Sequence, residues 1–115
     1  MDNKYDLIER TEKFGIMVIN LTKKIPKNTI TLPLISQFIR SGTSVGANYC
    51  EADNAESKND FKHKLGISKK EAKETIYWLK MIINICPDLK EEINLVSKEA
   101  NELNLIFNSI INKCS

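Results

Sequence analysis

The sequence predicts an all-α protein, an antiparallel up-down-up-down four-helix bundle. Three observations lead there. Apolar residues recur every three or four positions through four segments. The 115 residues include only 4 Gly and 3 Pro, too few for the many turns of a β-sandwich. The segments are joined by short connections, at 26–30, 54–57 and 87–88, which place consecutive helices antiparallel.

The first helix is expected over about 6–24. Leu7, Phe14, Val18, Leu21 and Ile25 fall along one face, and Pro26 and Asn28 end it. The second is expected over 31–53, with Thr31 as N-cap and Pro33 in the first turn, where a missing N–H is harmless. Ile35, Phe38, Gly42, Val45, Tyr49 and Ala52 step by three or four along it. Its middle, Arg40 to Asn48, is weak by propensity, since each Gly costs ~1 kcal/mol against Ala. The apolar rhythm runs through that stretch, so one unbroken helix is expected.

The third helix is expected over 58–86, capped by Ser57 with Asp60 three residues on. Its core face is Phe61, Leu65, Ser68, Ala72, Thr75 or Ile76, Leu79 and Ile83, and Pro87 stops it. The fourth is expected over 88–113, with Asp88 and Glu91 spaced as a capping box. Leu89, Ile93, Val96, Ala100, Leu103, Phe107 and Ile110 form a heptad seam. With 42% apolar and 28% charged residues, residues 1–115 read as a single globular domain.

Few kinds of chemistry fit this chain. No GxxxxGK or HExxH motif occurs. His63 is the only histidine, flanked by Lys62 and Lys64, and reads as a surface residue. Arg10 and Arg40 lie far from it in sequence, so the Arg–His motif of helical-bundle ribonucleases is absent. The carboxylate pairs Glu71/Glu74 and Glu91/Glu92 lack the Glu-x-x-His partners of a di-metal bundle. Glu71 and Glu74 neighbour Lys70 and Lys73 and read as solvated or intersubunit charges. Cys50, Cys86 and Cys114 are too far apart for a common zinc site. No catalytic residue, metal or cofactor is expected, and the protein reads as non-enzymatic. Unpaired cysteines, no signal-like apolar start and no long apolar run point to a cytoplasmic protein without a membrane partner.

Three features rise above the bundle pattern. Gly42 and Gly46, among Ser41, Thr43, Ser44 and Ala47, suit a close helix–helix crossing; the rival reading as a phosphate loop lacks its lysine. The third helix carries seven lysines and three acids between residues 58 and 80, in a chain whose net charge is only +2. Lys58, Lys62, Lys69, Lys73 and Lys80 step by 4, 7, 4 and 7, within a sector of roughly 60°. Such a stripe is either a solubilising face or a phosphate-backbone face, with Arg40 as an outlying candidate. Ile67, Trp78, Met81 and Ile85 form a second apolar strip on that helix, away from its core face. It reads as a subunit interface anchored by the only Trp, or as the edge of a wide core.

The run Arg40-Ser-Gly-Thr-Ser-Val-Gly-Ala-Asn-Tyr49, with Glu51-Ala52 and Ala55-Glu56-Ser57, resembles the bacterial four-helix-bundle family of 23S rRNA intervening-sequence proteins. So do Asp60-Phe61-Lys62-His63-Lys64-Leu65, Lys70-Glu71-Ala72, Glu74-Thr75-Ile76-Tyr77-Trp78-Leu79 and, at the start, Tyr5-Asp6-Leu7 and Phe14. The resemblance implies a homopentameric ring. It also implies kinship with the accessory variability determinant proteins of diversity-generating retroelements, basic bundles that bind a reverse transcriptase and nucleic acid. The expected role is an oligomeric RNA- or DNA-binding accessory protein, with a nucleic-acid enzyme such as a reverse transcriptase as the partner the resemblance implies; the alternative is a protein-interaction scaffold without nucleic acid.

Overall fold

The computed structural model describes residues 4–114, with side chains from Asp6 onward. Four helices follow one another: α1 (Lys4–Thr22), α2 (Thr31–Asp53), α3 (Lys58–Ile85) and α4 (Lys90–Lys113). A single 3₁₀ turn, Pro87–Leu89, precedes α4. No strand occurs among the described residues. The 28 residues of α3 rise about 42 Å, which matches the 44 Å long axis of the molecule.

The expected core is largely the observed one. Phe14, Val18, Phe38, Val45, Leu65, Ala72, Ala100, Leu103 and Phe107 are wholly buried. On α3 the open choice resolves to Thr75, with Ile76 half-buried, and the expected Ile83 is only half-buried while Ile82 takes the core position in its place. Thr75 can be buried because its hydroxyl is satisfied: Oγ1 donates to the Glu71 carbonyl at 2.8 Å and lies 3.0 Å from Ser41 Oγ.

α2 stays helical through its glycines because α1 occupies the space that side chains would need. A Cβ on Gly42 would lie 2.6 Å from Val18 Cγ2, and one on Gly46 would lie 3.2 Å from Thr11 Oγ1. On its other side α2 meets α3 through small polar residues. Ser68 Oγ donates to the Val45 carbonyl at 3.0 Å, which ties the two helices directly. α1 meets α4 more lightly. There Arg10 forks onto Glu99 (2.7 and 3.0 Å) and Glu102 (2.8 Å), and Lys24 pairs with Glu92 at 2.9 Å. The hydrogen bond from Glu99 holds the Arg10 guanidinium above its ordinary range, and that from Lys24 lowers the Glu92 carboxyl.

Helix ends account for most departures from expectation. α1 stops at Thr22, two residues early, and tighter bonds from Lys24 and Ile25 back to Leu21 and Thr22 follow it. Pro26 disfavours helical geometry at Ile25, which is buried all the same. Thr31 is not the N-cap of α2. Asn28 is the capping side chain: its Oδ1 accepts from the Ile30 and Thr31 amides, and Thr31 Oγ1 accepts from the Asn28 amide at 2.9 Å. This is a reciprocal capping box begun three residues earlier. Ser57 caps α3 as expected, its side chain accepting from the Asp60 amide at 3.0 Å. The Asp88–Glu91 box does not form, because Pro87 opens a 3₁₀ turn and α4 begins only at Lys90, without a side-chain cap. α3 ends one residue early, at Ile85, since Cys86 precedes Pro87.

Two outcomes follow. Gly42→Ala should lose about 1–3 kcal/mol, since Val18 is enclosed and cannot retreat. Gly66→Ala, whose Cβ meets nothing within 4 Å, should gain about 0.5–1 kcal/mol; thermal melts of both variants check this. Tyr49 stacks on Phe107, with centroids 6.2 Å apart, and burial pushes its phenol up to about 12. The unfolded chain releases that proton near ~10. Stability from this group is therefore full below pH ~10 and is lost as pH rises through about 12. Melts across that window should show a falling Tm that Tyr49→Phe partly flattens.

Candidate nucleic-acid interface

α3 carries three separate faces. Its core face looks into the bundle. The lysine stripe lies roughly 110° around the helix toward α4, and the second apolar strip a similar angle the other way, toward α2. The stripe's neighbour is fixed by side-chain bonds: Lys69 Nζ donates to Asn108 Oδ1 at 2.8 Å, and Asn104 Nδ2 donates to the Lys69 carbonyl at 3.0 Å.

Lys58, Lys73 and Lys80 are exposed, and Lys62 and Lys69 are half-buried. None of the five has an ion-pair partner among the described residues. Lys64, off the stripe, does: Glu51 Oε1 lies 2.7 Å away and raises its pKa. From Lys58 to Lys80 the stripe rises about 33 Å, close to one turn of a nucleic-acid duplex.

Arg40 does not join this surface. It lies on the α2 side of α3, where Nη2 is 2.7 Å from Glu74 Oε2 and Nη1 is 4.0 Å from Glu71 Oε1. Gln37 Oε1 also accepts from Arg40, at 3.2 Å. The adjacent-lysine reading of Glu71 and Glu74 is therefore corrected: both acids answer Arg40 across the helix interface. Glu71 is only 8% exposed, and its Oε1 has no hydrogen-bond partner, so Arg40 is the cation that makes its burial tolerable. Sequence spacing could not show this, because the partners stand 31 and 34 residues apart on different helices.

The Glu74 carboxylate also accepts from Trp78 Nε1 at 3.2 Å, and Tyr77 packs edge-on against Trp78 with centroids 5.0 Å apart. Ile67, Trp78 and Met81 are half-buried, while Ile85 and Tyr77 are exposed. The strip is thus real as a surface feature, with the indole seated at the core's edge and its N–H satisfied. His63 is exposed. No group of three or more His, Cys, Asp or Glu able to hold a metal occurs among the described residues. No described helix is long and apolar enough to cross a membrane.

Arg40→Ala should destabilise the fold by about 1–3 kcal/mol, by stripping the cation from a buried carboxylate. Adding Glu71→Gln should recover most of that loss. Denaturant unfolding of the four members of this double-mutant cycle checks the coupling.

Comparison with known proteins agrees with this geometry. The family model described as 23S rRNA-intervening sequence protein matches residues 3–109. A crystal structure of a protein of unknown function from the S23 ribosomal protein family of Bacteroides thetaiotaomicron superposes with a TM-score of 0.83. The two chains are 35% identical, over 91% of this chain and 97% of the other. No curated protein matches.

Proposed function

The chain belongs to the 23S rRNA-intervening sequence protein family, and from that premise we propose that it is a cytoplasmic, non-enzymatic helical bundle that assembles into a homo-oligomer and binds nucleic acid through α3. The observation that carries this reading is the lysine stripe. Five ammonium groups share one face over about one duplex turn, and no acid among the described residues pairs with them. Most other features of α3 are balanced: Glu71 and Glu74 by Arg40, Lys64 by Glu51.

The stripe has no interleaved aromatic residue, and Tyr77 leans on Trp78 instead. Binding is therefore to the phosphate backbone, with little reading of sequence. The family's description makes structured RNA the first ligand to try, with duplex DNA beside it. Assembly multiplies the effect, because each copy repeats the stripe and a second engagement is intramolecular. By resemblance the assembly is a homopentamer and its protein partner a nucleic-acid enzyme such as a reverse transcriptase.

Fluorescence anisotropy against labelled structured RNA and duplex DNA tests this. Five phosphate contacts give a slope of about −4.5 in log K against log salt, so affinity should fall roughly 500-fold between 50 and 200 mM salt. Lys69→Glu/Lys73→Glu should weaken binding strongly and make the slope shallower. Unchanged partner binding in that variant, with no RNA or DNA bound by the wild type at low salt, would favour the protein-interaction scaffold.

A further inference from the structure

The lysine stripe does not stand alone on its side of the molecule. α4 lies beside it, and the side of α4 turned toward the stripe is a row of amides broken by one hydroxyl. Asn94, Ser97, Asn101, Asn104, Asn108 and Asn112 recur every three or four residues. At about 100° per residue they share a sector of roughly 80°. Two bonds fix that sector against α3: Asn104 Nδ2 donates to the Lys69 carbonyl, and Asn108 Oδ1 accepts from Lys69 Nζ. No acid stands in the row. Glu92, Glu99 and Glu102 lie on the other side of α4, paired with Lys24 and Arg10 of α1, and Glu91 lies roughly 60° beyond the row's edge.

We propose that the α3–α4 face takes an A-form RNA duplex, the lysines of α3 holding phosphates while the asparagine row of α4 lies over the minor groove and hydrogen-bonds its 2′-hydroxyls. This inference rests on the lysine-stripe reading above and names the ligand of that site.

Register aligns the two rows. α3 and α4 run antiparallel, and the bonds of Lys69 set it level with a point between Asn104 and Asn108. Both helices rise about 1.5 Å per residue, so Lys62 falls level with Asn112, Lys73 with Asn101 and Lys80 with Asn94. Every lysine of the stripe except Lys58 therefore has an amide beside it. Packed helices stand about 8–10 Å apart. A line of cations and a line of neutral amides thus run side by side for about 27 Å. Lys73, Lys80, Asn94, Asn101 and Asn112 are exposed along them.

Chemistry suits the amides to sugar rather than to phosphate. A face made for phosphate alone gains by adding cations, which release counterions; an asparagine releases none. A ribose 2′-hydroxyl both donates and accepts, and so does a side-chain amide, whereas an ammonium only donates. The amides also keep capacity for a ligand. Asn101 Nδ2 is spent on the Ser97 carbonyl at 3.1 Å, which leaves Oδ1 to accept from a hydroxyl. Asn94 and Asn112 make no side-chain hydrogen bond among the described residues.

Shape separates RNA from DNA. Two packed helices, each about 10 Å across, present a broad face roughly 20 Å wide. That face is too wide to enter the ~12 Å major groove of B-DNA, and asparagine is too short to reach into a minor groove about 6 Å wide and 7.5 Å deep. The minor groove of A-form RNA is wide and shallow and displays the 2′-hydroxyls. Short side chains on a broad face reach it, while the longer lysines reach the phosphates at its edge. B-DNA engages the lysines only.

Anisotropy with three labelled duplexes of one sequence tests this: RNA, DNA and 2′-O-methyl RNA, which keeps the A-form but has no hydroxyl to donate. The variant is Asn94→Ala/Asn101→Ala. Both positions are exposed and alanine is the better helix former, so the fold survives, as circular dichroism melts verify. The wild type should bind RNA roughly tenfold or more tighter than either other duplex. The variant should lose roughly fivefold per amide on RNA, about 25-fold in all, and nothing on DNA. Its salt slope should match the wild type's, because no charge was removed. A wild type that binds no duplex at low salt overturns the lysine-stripe reading itself. Equal affinity for the three duplexes, or a variant that binds RNA as the wild type does, overturns only the role of the asparagine row.

Discussion

The closeness of α2 to its two neighbours is the constraint on which the rest of the molecule depends. Gly42 and Gly46 let the α2 backbone settle against Val18 and Thr11 of α1. Ser41, Ser68 and Thr75 let it settle against α3, with hydroxyls bonding across the seam. A residue with a larger side chain at any of these points would push a helix outward. The buried hydroxyls are tolerated because each has an acceptor, so the tight seam carries no desolvated donor. α4 is added differently. Its heptad seam supplies the apolar contact with α3, and ion pairs near both ends of α1 close the fourth side.

Tight packing of α2 has consequences on the outside. Small residues at the α1–α2 crossing leave little side-chain bulk there, so the crossing is a shallow apolar groove rather than a filled ridge. On the α3 side, the one large polar intrusion is Glu71, and it persists because Arg40 reaches over it. The same arginine fixes Glu74, and Glu74 in turn holds the indole of Trp78. A single guanidinium thus orders the flank on which the aromatic strip sits. It is spent on that task, which explains why Arg40 stands apart from the lysines.

α3 concentrates the distinct surfaces of the molecule because it is the longest helix and has three separate sectors. One is buried, one is basic and one is apolar. Their separation lets a single helix hold the bundle, present charge and expose apolar area without the surfaces interfering.

The helices, their order and nearly all of the core were legible in the chain of residues, because a 3.6-residue period written in apolar residues is a local code. Ser57 as a cap, the burial of Ser68 and the lysine stripe were legible for the same reason: each depends on spacing within one helix. Family membership was legible from the run at residues 40–49 and the pattern of α3. The features that no local pattern announced involve partners far apart in sequence. Thr75 rather than Ile76 faces inward because Ser41 waits opposite. Asn28 rather than Thr31 caps α2 because the turn after Pro26 folds back on itself. Arg40 belongs to Glu71 and Glu74, and the groove between α1 and α2 exists, only once the helices are laid side by side. Periodicity reports which face of a helix is buried; which atoms meet it is set by the packing of another helix, and no local pattern encodes that.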